Sequence, residues 1–295
     1  MYFVPIMKKV QTGQVIEFYS NSCLVETEFG QVSSMAIKNI VVGDYVELEI
    51  IQDSKALKGK ILNILERQTK LSKIEGDKSK LFAANISHVG IIATPSPKTS
   101  SEFIDKWILK SKLSNITPFI INNKMDLESD QEYKDKLDIY RKIDITIINC
   151  SAKYGDNINE LIKFLKNKSI LFVGNSGAGK SSLTSRLIGK SLKINNLSRN
   201  QGVHTTSLSS LYMLENNTKI IDSPGMRDIQ INNYPKEQII YGFEEILNAS
   251  KYCKFSDCNH INNEGCFVMK CLDNGQINQS RYNNFIKLRD DEKYR

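Results

Sequence analysis

The sequence has no apolar run long enough to cross a bilayer. Stretches such as Pro118 to Ile121 and Ile170 to Val173 are a fraction of the roughly 18–20 residues a spanning helix needs, so no transmembrane helix is expected. The opening MYFVPIMKKVQTGQ lacks the basic start, longer apolar core and small-residue cleavage site of a secretory leader, which argues for a cytoplasmic protein with no membrane partner. Sustained apolar heptads are missing too, and a monomer is the simpler expectation. Nor does the composition carry the marks of disorder or of a fibrous repeat, since 40% hydrophobic and 25% charged residues are ordinary for globular chains. What is present is length: 295 residues exceed the usual reach of one core and favour two or three domains.

The charge is unevenly placed. Of 40 Lys and Arg and 33 Asp and Glu, residues 1–67 hold 7 and 8 and residues 241–295 hold 8 and 8, leaving 25 basic against 17 acidic side chains in the middle. A basic centre attracts polyanions by counterion release, yet the same lysines also serve to solvate a surface or to meet a nucleotide's phosphates, so charge alone is a weak pointer to RNA.

Short alternating runs open the chain: GQVIEFYS, SCLVETEF, VSSMAIKN and VGDYVELEII, with Asn21, Gly30 and Gly43 as turn signals. They predict a small antiparallel β-module over residues 1–67. A five-stranded oligonucleotide-binding-like (OB-like) barrel suits its length, and an SH3-like barrel would give the same pattern. The polar stretch from Glu66 to Lys80 has no clear period and reads as a linker or mobile loop. From about residue 86 fully apolar runs alternate with helical ones (HVGIIAT, a helix near Ser101 to Lys112, PFIINN, ITIINC, a helix capped by Asp156, ILFVG), the pattern of an α/β domain with a buried, mostly parallel sheet over residues 68–232. Residues 233–295 differ again: an amphipathic stretch near Lys236 to Leu247, a cluster of Cys with one His, and a helix from about Ser280 predict a small helical domain.

Residues 174–181 read GNSGAGKS between the strand SILFV and the helical SSLTSRLI, the strand–loop–helix setting that a phosphate-binding P-loop requires. Gly174, Gly177 and Gly179 let the backbone wrap a polyphosphate. Asn175, Ser176 and Ala178 complete the loop, whose N–H groups and following helix N-terminus, from Ser182 on, meet the negative charge. Lys180 is expected to reach the β- and γ-phosphates and the Ser181 hydroxyl to hold Mg²⁺. Downstream, KIIDSPGMR ends a strand with D-x-P-G, where Asp222 supplies a second metal-side carboxylate and the Gly225 N–H faces the γ-phosphate.

The base is read upstream. PFIINNKMDL ends a strand with Asn123, Lys124, Met125 and Asp126, and an aspartate there accepts from both N1–H and the N2 amine of guanine. Adenine offers an unprotonated N1 at that edge and would leave the acceptor unpaired, a loss of about 1–3 kcal/mol that favours GTP over ATP. CSAK follows the next strand, so Ser151, Ala152 and Lys153 frame the base.

These base motifs come before the phosphate loop, the reverse of the ordinary order, as joining old termini and opening new ones at a surface loop would produce. In this order of motifs, flanked by a β-module and a cysteine segment, nearly the whole chain resembles the circularly permuted GTPases of the RsgA/YjeQ family. The resemblance implies a multidomain α/β protein with an N-terminal OB-like barrel, a permuted P-loop GTPase domain and a C-terminal helical zinc-binding domain. It also implies GTP hydrolysis to GDP on the small ribosomal subunit during late maturation, with contacts to ribosomal RNA.

Between Gly189 and His204 lies a polar stretch followed by HTTS, the place for a switch loop in which Thr205 or Thr206 completes the Mg²⁺ shell. Met226 stands where a Ras-like enzyme carries a water-orienting Gln, and a thioether cannot do that work. The resemblance supports His204 as the candidate that positions or activates the attacking water, because the family carries a proposed catalytic His before its T-T pair. Val203 departs from the basic residue usual in the family before that His.

Cys253, Cys258, His260 and Cys266 are spaced C-x4-C-x-H-x5-C. Three thiolates and one imidazole suit one closed, structural Zn²⁺ site, holding helices that present Lys254, Lys270, Arg281, Lys287 and Arg289 toward a partner. Cys23, Cys150 and Cys271 read as buried thiols. Two other functions fit the residues: a GTP-regulated hydrolase or signalling switch with protein-binding flanking domains, and a zinc-dependent RNA-binding protein whose nucleotide is structural.

Overall fold

The computed structural model describes residues 10–52, 57–75, 78–191, 209–222, 229–231 and 234–290. His204, Thr205, Thr206 and Gly225, together with Val203 and Met226, lie outside the described residues. In chain order the elements are β1 (Val10–Phe18), β2 (Ser22–Thr27), β3 (Gly30–Met35), β4 (Tyr45–Gln52), β5 (Leu57–Ile64), β6 (Lys70–Glu75), β7 (Lys78–Ala84), β8 (His88–Ala93), α1 (Ser101–Leu113), β9 (Thr117–Asn122), α2 (Gln131–Lys142), β10 (Ile147–Asn149), α3 (Ile158–Leu165), β11 (Ser169–Gly174), α4 (Lys180–Ser191), β12 (Ser209–Met213) and β13 (Lys219–Asp222). A 3-10 helix (Lys236–Gly242), α5 (Glu244–Ser250), α6 (Phe267–Asp273) and α7 (Gln279–Asp290) follow. No helix among the described residues is long and apolar enough to cross a membrane. The described chain falls into two compact units, one from residues within 1–87, 162–172 and 181–226, the other from residues within 88–161, 173–180 and 227–295.

In the first unit the opening strands close on themselves. β1 pairs with β2 and β4, β2 with β3, β5 with β4, all antiparallel, and β3 with β5 in parallel. That ring is a five-stranded barrel of the oligonucleotide-binding kind. Alternation puts Val15, Val25, Val32, Val46, Leu48 and Ile61 inside, with Cys23 among them. Arg67, just past β5, clamps the entry to β4: its guanidinium donates to both oxygens of buried Asp44 at 2.6 and 2.8 Å. β1 also pairs with β12, Glu17 opposite Ser210, and Lys219 at the start of β13 donates to Gln14 Oε1 at 2.6 Å and Tyr45 Oη at 2.8 Å. β13 in turn pairs antiparallel with β12 and parallel with β11.

The stretch expected to be a linker is largely a hairpin. β6 and β7 pair antiparallel from Lys70 opposite Ala84 to Glu75 opposite Lys78. Its strands alternate lysine with few apolar residues, so the two-residue period was hidden; among the residues whose burial is described, Leu71, Phe82, Ala83 and Ala84 are the buried ones.

In the second unit β8, β9 and β10 are parallel, Ile91 beside Ile120 and Ile120 beside Ile147. Each is apolar on both faces because helices cover the sheet. α1 begins where Ser100 accepts the Phe103 N–H at 3.2 Å, with Glu102 in the first turn and Lys110 and Lys112 in the last, charges that suit the helix dipole. It is buried from Phe103 to Ser111. α2, which the sequence reading passed over, is capped by Asp130 accepting from Tyr133 N at 2.8 Å and buries Tyr133, Leu137 and Tyr140 from an otherwise polar helix. α3 keeps the expected apolar face of Ile158, Leu161 and Leu165. Its first helical bond runs from Leu161 N to Asn157 O, however, so Asn157 holds the cap position and Asp156 lies one residue too early. The 3-10 helix and α5–α7 share a core with Leu109 of α1, including Phe243, Ile246, Val268, Cys271, Phe285 and Leu288.

Candidate functional site

The base and phosphate motifs are far apart in sequence, and one side chain joins them. Asn123, 1% exposed, donates from Nδ2 to the Ala178 carbonyl at 2.9 Å, while its Oδ1 accepts the Ala152 N–H at 3.0 Å. The amide therefore spans N-K-x-D, S-A-K and the phosphate loop at once. Strand register prepares this. Asn122 and Asn149 are opposite each other at the ends of β9 and β10 and share a side-chain hydrogen bond of 2.9 Å, so the loops that follow start side by side. Met125 N–H donates to Cys150 O at 3.2 Å and Ser151 Oγ to Asp126 Oδ1 at 2.6 Å, which orients the exposed Asp126 carboxylate. Lys153 extends over the Tyr154 ring, 4.8 Å from its centroid. Burial pushes the Cys150 thiol up to about 12, which fits the inert, packed role expected of it.

β11 delivers Gly174, and residues 175–179 turn before α4 opens at Lys180. Gly177 and Gly179 have φ of +77° and +89°. At Gly179 a Cβ would sit 2.5 Å from Asn123 Nδ2, so any other residue would push out the side chain that joins the motifs. Ala178 is buried, and Ser181 and Ser182 are exposed at the helix start. In the first unit Asp222 ends β13, half-buried, with Ser210 as its neighbour in register on β12. Of the residues expected around a nucleotide, Asn123, Ser151, Ala152, Gly174 and Ala178 are thus packed into the walls, while Met125 and Asp126 face solvent.

Sequence reasoning missed the loop before α1. Ser96 O accepts the Lys124 ammonium at 2.7 Å, and a Cβ on Gly177 would lie 3.6 Å from Pro97 Cγ and Cδ. The loop is tied to itself by Thr94 N–H to Thr99 Oγ1 at 3.0 Å and Thr94 Oγ1 to Pro97 O at 2.7 Å. Its sequence, TPSPKTS, signals only a turn; a backbone carbonyl as partner leaves no trace in residue type.

The cysteine segment does converge. Ligand atoms of Cys253, Cys258, His260 and Cys266 all lie within 4.8 Å of one another. Cys253 Sγ is 3.7 Å from His260 Nδ1 and 4.0 Å from Cys266 Sγ, and Cys266 Sγ is 3.8 Å from His260 Nδ1. A tetrahedron with metal–sulfur bonds of about 2.3 Å and metal–nitrogen bonds of about 2.0 Å has edges of roughly 3.5–3.8 Å, so the donor set fits a tetrahedral cation. Burial pushes the Cys266 thiol up to about 11. Burial acts the same way on Cys253, but the Val268 and Phe267 N–H groups and the neighbouring thiols outweigh it and hold that thiol below its usual value. Burial, then the nearby Arg289 charge, lowers His260, a shift in the direction of the neutral imidazole that a metal ligand must be. Cys271 lies outside the cluster, in the apolar core, and burial pushes Cys23 up to about 11.

One residue named for a surface role is not on the surface. Arg281 is 1% exposed and cannot face a partner. Its guanidinium donates to Asp105 Oδ1 at 2.6 Å, Glu245 Oε1 at 2.7 Å and Gly242 O at 3.0 Å, and stacks 4.3 Å from the Phe243 ring centroid. Its own burial works against the charge, and Asp105 and Glu245 outweigh it and hold the proton more tightly than usual.

Known proteins similar in sequence and in fold share one family. The family model described as RsgA GTPase matches residues 64–232. The small ribosomal subunit biogenesis GTPase RsgA of Haemophilus influenzae (strain PittEE) is 34% identical over 290 residues, covering 94% of this chain and 84% of that protein. The protein of the same name from Actinobacillus pleuropneumoniae serotype 5b is 33% identical over 299 residues, covering 96% and 86%. Among solved structures, YjeQ from Thermotoga maritima superposes with a TM-score of 0.75 at 29% identity, covering 95% of this chain and 97% of that one. YloQ, a circularly permuted GTPase, superposes at 0.74 with 22% identity over 99% and 98%, a likeness of fold.

Proposed function

This chain belongs to the RsgA GTPase family of GTP-hydrolysing enzymes, and on that premise we propose that it acts on the small ribosomal subunit, hydrolysing GTP to GDP during late subunit maturation. The names of its relatives support the ribosomal part. The observation that carries the nucleotide part is Asn123, which ties the base loops to the phosphate loop through Ala152 N–H and Ala178 O.

In this reading Asp126, oriented by Ser151, takes the N1–H and N2 edge of guanine, Ser151, Ala152 and Lys153 frame the base with a backbone N–H of that loop toward O6, and Lys124 flanks it. Gly174, Asn175, Ser176, Gly177, Ala178 and Gly179 cradle the phosphates with Lys180 and the helix start at Ser181 and Ser182. Ser181 and Asp222 are the residues that would hold Mg²⁺, which supplies neutralisation of charge building on the phosphate oxygens. Thr205, Thr206, Gly225 and His204 complete the proposed set, His204 as the group that positions the attacking water. The Cys253, Cys258, His260, Cys266 cluster holds a structural Zn²⁺. The proposed domains are residues 1–67, 68–232 and 233–295, the first and last contacting ribosomal RNA, in a cytoplasmic monomer.

GTP turnover by the full chain with and without purified small ribosomal subunits tests the proposal. Strong stimulation is the expected result. Turnover indifferent to subunits would point instead to a GTP-regulated hydrolase or signalling switch, and tight binding without turnover to a zinc-dependent RNA-binding protein. Within the first outcome, His204→Ala is expected to abolish the stimulated rate while leaving GDP affinity intact; an unchanged rate would reject that assignment.

A further inference from the structure

α7 touches two places that matter. Toward the metal cluster, Tyr282 Oη donates to His260 O at 2.7 Å and Arg289 Nη1 to Asn259 O at 2.7 Å. Toward α1, Arg281 donates to Asp105 Oδ1 at 2.6 Å, Asn284 Nδ2 to Asp105 Oδ2 at 2.6 Å and to Ser101 Oγ at 3.2 Å, and Lys287 pairs with Glu102 at 2.7 Å. Tyr140 of α2 adds donations to Asp105 Oδ1 at 2.8 Å and Ser101 O at 3.1 Å. The first turn of α1 is thereby gripped at Ser101, Glu102 and Asp105, and Asp105 is wholly buried.

Immediately before that turn lies the 94–100 loop, whose tip bonds one nucleotide motif and lies close to the other: Ser96 O accepts the Lys124 ammonium at 2.7 Å, and a Cβ on Gly177 would come within 3.6 Å of Pro97. The loop cannot slacken to absorb a shift of α1. Ser100 is committed as the α1 cap, Thr99 O accepts the Lys136 ammonium at 2.7 Å, and Thr94 and Thr99 are wholly buried and bonded to each other. A displacement of the first turn of α1 is therefore expected to carry to the Ser96 carbonyl that holds Lys124 and to the Pro97 tip beside the phosphate loop.

We propose that Arg281 and Asn284 are positioning residues for the nucleotide pocket, acting through α1 and the Ser96–Pro97 tip, so that the C-terminal metal module sets guanine-nucleotide affinity without touching the nucleotide. The inference rests on the guanine-nucleotide pocket proposed above. Arg281 and Asn284 grip α1 and supply no group to the reacting phosphate, so the effect expected is on binding of GDP and GTP alike and not on the rate from the bound state.

The test uses the full chain, a fluorescent GDP analogue for affinity, metal content, and the thermal midpoint. Two variants are compared with the parent: Arg281→Met combined with Asp105→Asn, which removes the Arg281–Asp105 pair and leaves Glu245 as the remaining charge, and Asn284→Ala, which leaves both ion pairs of Arg281 in place. Measured well below the midpoint in metal-replete protein, both are expected to bind GDP and GTP at least about fivefold more weakly, the lower end of ordinary coupling between sites. KM for GTP should rise by the same factor with kcat unchanged. Affinity within twofold of the parent, with only the midpoint lowered, would show that the network merely stabilises the fold and would overturn the proposal. If the double variant does not fold, Asn284→Ala decides by the same criterion. A parent that binds no guanine nucleotide would instead overturn the pocket itself.

Discussion

The N-terminal barrel and the C-terminal metal module are both small, and they are held together by different physics. The barrel closes its backbone hydrogen bonds in a ring and fills the inside with Val15, Val25, Val32, Val46, Leu48 and Ile61. The C-terminal module has helices of only 7, 7 and 12 residues, too short to be stable alone. It supplements its apolar core with a Cys3His cluster and a buried guanidinium, and Cys266 serves at once as cluster member, core residue and cap of α6. Apolar burial is indifferent to pH and chelators, whereas a buried ion pair depends on pH and a metal-binding thiolate cluster on both. The two regions should therefore fail under different stresses.

The largest difference is expected on metal removal. Structural zinc is worth on the order of 10 kcal/mol to small zinc modules, so chelation should strip hydrogen-exchange protection from α6 and α7 while the amides of β1–β5 keep theirs. Cys258→Ser should reproduce that pattern; equal loss in both regions would erase the contrast. Next comes the ion pair. Arg281→Met alone leaves the buried Asp105 carboxyl unpaired, a loss of about 3–5 kcal/mol that should shrink as falling pH protonates it. In the barrel, Leu48→Ala should cost about 2–5 kcal/mol at every pH, and denaturant melts of both variants at pH 5 and pH 8 would separate the two behaviours.

The smallest effect concerns Lys110, buried in α1, donating to Tyr234 Oη at 2.7 Å and lying 4.9 Å from that ring's centroid. Burial lowers it from 10.5 to about 8. The unfolded chain therefore holds this proton between pH 8 and 10.5 while the native state releases it, and the native state gains stability as pH rises through that window. Lys110→Met should be more stable than the parent by about 1–2 kcal/mol at pH 7, with the advantage fading by pH 10.5; a difference independent of pH would contradict the assignment.

Chemistry carried by residue type was legible in the sequence, and chemistry carried by backbone or by distant partners was not. N-K-x-D, S-A-K, the phosphate loop and the cysteine spacing were all readable, because each needs particular side chains at fixed intervals. Alternation revealed most of the barrel, but LKGKILNI in β5 buries Ile61 and little else, so the strand did not announce itself. The β6–β7 hairpin was hidden by its lysines for the same reason. α2 was readable in principle, since Tyr133, Leu137 and Tyr140 share one face. Ser96 acts through a carbonyl. Arg281 looked like a surface cation in a basic helix because its partner Asp105 is 176 positions away, and a sequence shows no pairing at that range.

The central claim is a guanine-selective pocket built by Asn123 from loops distant in sequence, with Asp126 as the reader of the base. Calorimetric titration of the parent and of Asp126→Asn with GDP, ADP and xanthosine diphosphate tests it most directly. The carboxylate accepts from N1–H and N2 of guanine; an amide at 126 offers a donor instead, which suits the O2 carbonyl that xanthine carries there. The parent is predicted to prefer GDP over ADP by at least tenfold, consistent with about 1–3 kcal/mol for the unmet acceptor, and the variant to lose GDP and gain xanthosine diphosphate. Equal affinity of the parent for GDP and ADP, or a variant that keeps its preference for GDP, would contradict the account.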